Sequence, residues 1–306
     1  MPPISASRPN VYTGSPLDRA GDRRDDAAWI NGRLQDPGSQ VVPIWRSRSL
    51  LRDQEGLQAA YLAAPDAAPA LTAGASWAFL GLRDEQAFFA VDLSAVEDPL
   101  PLLPPDAGMF EDLRTVPGGL PPDDAAVLAH ARGLMHWRNR HPFCGVCGAR
   151  TEPRSAGNAL ACTGCGAQHF PRTDPAVIML VHRADRVLLG HSARFPKATM
   201  YSTLAGFVEP GESLEEAVAR EVMEESRIQV GAVHYHSSQP WPFPASIMLG
   251  FHAEGLSDEI TIDPTELRDA RWFTRTELAE PDKHGFSLPR RDSIARRLIE
   301  DWMAHA

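Results

Sequence analysis

Apolar residues along this 306-residue chain fall into contrasting rhythms, and the changes between them mark its organisation. In the first third the pattern is weak. Gln40-Val-Val-Pro-Ile44 and Ala87-Phe-Phe-Ala-Val91 are short apolar runs that predict strands. The Pro/Ala/Gly-rich stretches near 64–76 and 99–108 predict turns or loops. Between 123 and 140 the spacing becomes helical: Val127, Leu128, Ala131, Leu134, Met135 and Trp137 recur three and four residues apart. Pro142 should end that helix. From 175 the rhythm changes again. Pro175-Ala-Val-Ile-Met-Leu-Val181 is continuously apolar, as in a strand covered on both faces, and Arg186-Val-Leu-Leu189 can pair with it. A helix is predicted over Leu214–Glu225. Further strands are predicted over Ser246–Ala253, Glu259–Ile262 and Asp269–Phe273. Asp292–Trp302 closes the chain as an amphipathic helix with Ile294, Leu298, Ile299 and Trp302 on one side.

Strands mixed with two clear helices predict a layered α/β or α+β domain over 172–306. Residues 26–140 read as an N-terminal mixed α/β domain, 141–171 as a cysteine module, and 1–25, polar and rich in Arg, Asp and Pro, as a loose arm. No internal repeat is visible. Composition adds constraints. The net charge of −10 disfavours non-specific binding to nucleic acid, so an anionic substrate needs a bound cation or a placed Arg or Lys. No window of ~20 apolar residues predicts a membrane span. The opening residues lack the apolar core of a secretory signal, and the cysteines suit metal binding, so a cytoplasmic location is expected.

Those cysteines are Cys144-Gly-Val-Cys147 and Cys162-Thr-Gly-Cys165, with fourteen residues between the pairs. Two residues between paired cysteines let one tight knuckle present both sulfurs to one ion, and four thiolates close a tetrahedral zinc site. Gly148 and Gly166 follow the pairs where the knuckles turn back, and Gly157-Asn158 suits a hairpin tip. Four ligands leave no open position, so Zn2+ here is structural. Redox pairs or inert buried thiols are the alternative.

The strongest chemistry lies in Gly206-Phe-Val-Glu-Pro-Gly-Glu-Ser-Leu-Glu-Glu-Ala-Val-Ala-Arg-Glu-Val-Met-Glu-Glu-Ser-Arg-Ile228. Ser213 and Glu216 have capping-box spacing, so the helix starts there. Leu214, Ala217, Val218 and Val222 form its buried stripe. Glu221, Glu224 and Glu225 then share one side of the last turns. Like charges so spaced cost ~0.2–0.5 kcal/mol per pair. At the negative end of the helix dipole, Glu224 and Glu225 are disfavoured by a further ~0.3–1 kcal/mol each. A hard divalent cation reverses every one of these signs, and oxygen ligands select Mg2+ or Mn2+. A solvated acidic face is the alternative.

The spacing Gly206-x5-Glu212-x7-Arg220-Glu221-Val222-x-Glu224-Glu225-x-x-Ile228 resembles the box of the Nudix hydrolases. The resemblance implies a Nudix α/β/α sandwich in which Glu221, Glu224 and Glu225 hold Mg2+ or Mn2+ and one acidic group takes the proton from the attacking water. It also implies an ion pair of Arg220 with Glu212 that fixes the loop against the helix. Arg227 departs from the pattern, standing where the family has glycine. A left-handed helix exit disfavours arginine by ~1 kcal/mol, which should loosen that exit.

Ser238-Gln-Pro-Trp-Pro-Phe-Pro-Ala-Ser246 is similar to the array that marks the NADH pyrophosphatase branch of that superfamily, and the upstream zinc ribbon and the closing helix match the branch as well. The resemblance covers 123–306 well and 1–115 weakly. It implies hydrolysis of NADH or NAD to nicotinamide mononucleotide and AMP, removal of NAD caps from RNA, and a homodimer. By the same resemblance Phe207 and Phe170 would stack on bases, although Phe170 replaces a usual tyrosine and lacks its hydroxyl. Gln239 would orient a polar edge of the substrate, and Trp241, Phe243 and Ser246 would contact it. The backbone at Ala295 would meet the nucleotide. Glu266 would complete the metal site or serve as base. A surface turn acid is the alternative for Glu266, and core or dimer packing for Trp241 and Phe243. Two other functions are weighed: a broader hydrolase of ADP-ribose-type diphosphates, and a non-catalytic binding protein on the same scaffold.

Overall fold

The structure is a computed structural model that describes residues 9–74, 76–116 and 118–305. The chain forms two compact units. One comprises 174–240 and 246–306 with the short segment ending at Val11; the other comprises 12–173 with 241–245.

In the unit of the C-terminal half, Asp174–Arg183 is the central strand. It pairs parallel with Ser246–Gly255 and antiparallel with Arg186–His191 and Leu204–Phe207. Arg186–His191 carries Asp269–Thr274 on its other side, and Val230–Trp241 lies outside Ser246–Gly255. The continuous apolar run follows from burial on both faces. Val177, Met179 and Val181 pack toward Ala217, Val218 and Val222 of the helix Leu214–Ser226. Ile178 and Leu180, one residue out of phase, pack toward Leu298, Ile299 and Trp302 of the helix Ile294–Ala304. The unit is thus the expected α/β/α sandwich. Two sequence expectations fail in it. Glu259–Ile262 is not a strand. Its backbone serves the acidic helix instead: Thr261 N donates to Ser226 O and Asp263 N to Glu225 O. These bonds satisfy carbonyls that every helix end leaves orphaned. The strand Val230–Trp241 escaped prediction because its apolar positions are mostly half-exposed and follow no alternation.

The other unit holds a seven-stranded mixed sheet. Its central pair, Gln40–Trp45 and Gln86–Asp92, is again parallel. The helix Pro122–Arg140 covers one face, through Val127, Leu128, Ala131, Leu134, Met135 and Trp137 against Val42, Ile44, Leu80 and Phe88. Two stretches expected as loops contain short helices, Ala68–Ala73 and a 3-10 turn at Leu100–Leu102. Prolines at their first positions start rather than break them. The expected loose arm over 1–25 is ordered in its latter part: Tyr12, Leu17 and Ala20 are buried, and Asp18 bridges Leu82. Residues 1–8 lie outside the described residues. The cysteine module, a three-stranded ribbon, belongs to this same unit.

Candidate functional site

The acidic helix begins with the expected capping box, in which Ser213 and Glu216 each accept a backbone N–H of the other. It ends with Arg227 in the left-handed region, φ 60°, its N–H donated to Met223 O. The departure from glycine therefore leaves the helix exit in place and stores the strain in Arg227 itself.

Arg220 organises the approach to the helix. Its Nε and Nη2 grip both oxygens of Glu212 at 3.0 and 2.7 Å, and Nη2 also donates to Phe207 O. Nη1 reaches Glu221 at 2.9 Å and Glu224 at 3.1 Å. The bidentate grip ties the loop at 207–212 to the helix and holds the Glu212 carboxyl down to about 2. Glu221 lies directly over Gly206: a Cβ there would fall 1.8 Å from the Glu221 carboxyl carbon. Glycine is required at 206 by close approach, not by backbone conformation.

Glu225 is 7% exposed. Burial, reinforced by the charges of Glu221, Glu266 and Glu224, pushes its carboxyl up to about 8. Burial likewise raises Glu221. Glu266 is half exposed at the end of its loop, with Arg194 3.7 Å away. Four carboxylates thus act on one another: among the described residues Arg220 bonds Glu221 and Glu224, while Glu225 accepts a backbone hydrogen bond from Ala205. Burial opposes ionisation of Glu225, and a cation placed beside it would favour the charged form.

The four cysteines meet the zinc geometry directly. Their Sγ atoms all lie within 4.8 Å of one another. Backbone N–H groups of Val146, Gly164 and Cys165 donate to Sγ of Cys144 or Cys162 at 3.3–3.4 Å, and those of Cys165 and Gly164 favour the thiolate of Cys162. His169 Nε2 lies 3.3 Å from Cys144 Sγ, a contact the spacing of the cysteines gave no means to foresee.

The residues expected to meet a substrate separate into two groups. Phe207 and Phe170 are 59% and 64% exposed and open to a stacking partner. Ala295 is buried in the first turn of the last helix, and Ser246 is half-buried at a strand start. Gln239 must be corrected. It is fully buried, its Nε2 donates to Val11 O and Asp292 O, and its Oε1 accepts from Ile294 N. Both Nε2 hydrogens are thus used on backbone carbonyls, and Oε1 caps the last helix at Ile294 N, which turns the amide inward. Phe243 and Trp241 also pack inward: they meet edge-to-face at 5.0 Å, each contacts Tyr12, and the Arg132 guanidinium lies 4.7 Å above Phe243. Pattern alone could not distinguish a substrate loop from this packed corner, since both call for rigid aromatics between prolines.

Three domain families match the chain. Residues 172–295 match the NUDIX domain, 139–170 the NADH pyrophosphatase zinc ribbon domain, and 38–137 the NADH pyrophosphatase-like rudimentary NUDIX domain. The last match explains the parallel central pair in both sheets and revises the reading that the sequence holds no repeat. The NAD-capped RNA hydrolase NudC of Stutzerimonas stutzeri is 46% identical over 195 residues, 64% of this chain and 68% of its own. Human NAD-capped RNA hydrolase NUDT12 is 42% identical over 194 residues, 59% of this chain but 42% of its own. Nudix hydrolase 19 of Arabidopsis thaliana, a chloroplastic protein, is 48% identical over 165 residues, 51% of this chain and 37% of its own.

Proposed function

Because this chain belongs to the NADH pyrophosphatase branch of the Nudix hydrolases, we propose that it hydrolyses the pyrophosphate bond of NADH or NAD to nicotinamide mononucleotide and AMP, and that the same reaction removes NAD caps from RNA 5′ ends. The observation that carries this reading is Glu225: a buried carboxyl surrounded by three others and held at about 8 is a poor structural choice and a good cation ligand. Glu221, Glu224, Glu225 and Glu266 would hold Mg2+ or Mn2+, which supplies Lewis-acid stabilisation of charge on the diphosphate.

The chain's own residues do the rest. Arg220 keeps the loop at 207–212 against the helix through Glu212. Gly206 leaves room for the Glu221 carboxyl. Phe207 offers an exposed ring face to a base. A carboxylate of the group accepts the proton of the attacking water; Glu225→Gln and Glu266→Gln, compared through their pH–rate profiles, identify which. Zn2+ holds the ribbon as a structural staple. A cytoplasmic location suits thiolates kept reduced, and a homodimer fits the family.

The test is Glu225→Gln. NADH turnover should fall ~10²–10⁴-fold while folding persists. Unchanged turnover would remove the metal site from this helix. A second reading, a broader hydrolase of ADP-ribose-type diphosphates, gains from the burial of Gln239, which takes one selective contact out of the array. Rates on NADH, ADP-ribose and NAD-capped RNA at equal concentration separate the two.

A further inference from the structure

The unit of the first half contains a cavity that the reaction does not use. It lies between the helix Ala27–Gln35, the start of the strand Ser76–Arg83, the hairpin of the ribbon and the end of the helix Pro122–Arg140, with a volume of about 640 Å³. That is the size of a small-molecule site.

The lining is basic in an acidic protein. Arg24, Arg138 and Arg154 line the cavity, and Asp25 is the one acid among the lining residues. Asp25 accepts the Ser155 hydroxyl at 2.8 Å. Arg24 is aimed by a backbone carbonyl five residues earlier: Nε and Nη2 both donate to Arg19 O, which among the described residues leaves Nη1 for a ligand. Arg138 reaches past Gly157 to donate to Trp77 O, and its Nε is buried without a partner. The position of Gly157 allows this. A Cβ there would fall 2.5 Å from Arg138 Nη1 and 2.6 Å from Trp77 O. Asp92, which draws on Arg138 electrostatically, already accepts from Ser94 and Asn139. Arg154 pairs with the exposed Glu152 at 3.6 Å, so the less balanced charge at the cavity is that of Arg24 and Arg138, and planar arginines with spare N–H groups match phosphate oxygens. Ile30, Leu71 and the half-exposed Trp77 supply apolar wall beside them, which suits a base or ribose rather than a bare anion.

We infer that this cavity of the rudimentary Nudix domain is a second binding site for a nucleoside phosphate, separate from the acidic helix, with Arg24, Arg138 and Arg154 on the phosphate and Trp77 beside the nucleoside. The inference is independent of the proposed reaction, since its readout is binding.

The probe is AMP, titrated calorimetrically into the full zinc-loaded chain without added Mg2+, with pyrophosphate and adenosine as parallel arms. Two AMP per chain are expected, and one in R24E/R154E, whose NADH turnover and melting temperature should match the parent. Arg154→Gln, a milder change at an exposed position, should weaken the second site severalfold and covers the case in which the double reversal disturbs the fold. A single AMP site unaffected by both variants overturns the inference. So does a second site that takes pyrophosphate as tightly as AMP, which would mark a simple anion hole.

Discussion

The molecule contains the same sheet plan twice, and the two copies differ in what their principal helix is composed for. Each sheet is built on a parallel pair, Gln40–Trp45 with Gln86–Asp92 and Asp174–Arg183 with Ser246–Gly255. The charges of the helix Pro122–Arg140 follow its dipole at both ends. It carries Asp123 and Asp124 in the first turn and Arg138 and Arg140 in the last, as its dipole prefers. Asp124 accepts the Tyr61 hydroxyl at 2.7 Å and Ala59 N at 2.9 Å. The helix Leu214–Ser226 has no basic residue in its last turn and places Glu224 and Glu225 there instead, one turn after Glu221. One scaffold therefore supports both a helix whose charges suit its dipole and a helix whose acids oppose it, and the second is the proposed metal site.

The largest expected effect that tests this contrast is on the pH dependence of stability. The Glu225 carboxyl is held at about 8 in the folded chain against an ordinary 4.5. The folded state then holds a proton that the unfolded state has released, so the metal-free protein should lose stability as pH rises from about 4.5 through 8, by about 2–5 kcal/mol in all. Added Mg2+ or Mn2+ should restore it most at high pH, and Glu225→Gln should flatten both curves in thermal melts. A parent whose melting temperature is level across that range would mean that Glu225 is not penalised. Next in size is a matched pair of glycines. Gly206→Ala pushes a Cβ into the Glu221 carboxyl and should lower kcat ~10²-fold, because a displacement of about 1 Å suffices for that. Gly133→Ala, in the helix of the other domain, meets only Pro242 Cβ at 3.5 Å and should raise stability by ~0.4–1 kcal/mol with activity intact.

Smaller effects sharpen the division of labour. Gln239→Ala strips the cap from Ile294 N and should destabilise by ~1–3 kcal/mol with KM for NADH unchanged. A KM that rises severalfold would return Gln239 to the substrate. Cys144→Ser should lower the melting temperature by at least ~5 °C and release zinc, while kcat of the folded fraction holds. Arg227→Gly should add only ~1 kcal/mol of stability by relieving the φ of 60°.

Local pattern determined much of this protein. The capping box at Ser213, the buried stripe Leu214, Ala217, Val218 and Val222, the four-cysteine ribbon and the run at 175–181 are written in nearest neighbours or in a fixed period, so the residues themselves carried them. Tertiary structure decided what depends on distant partners. Gln239 is held inward by the backbone of Val11, Asp292 and Ile294. The segment 259–262 became a cap for the acidic helix rather than a strand. The repeated sheet plan stayed hidden because a sheet requires only apolar residues of suitable size on its two faces, and many sequences satisfy that without resembling one another. The acidity of Glu225 belongs to the same class: the helix period places it beside other acids, but only packing removes the water that would have kept it an ordinary carboxylate.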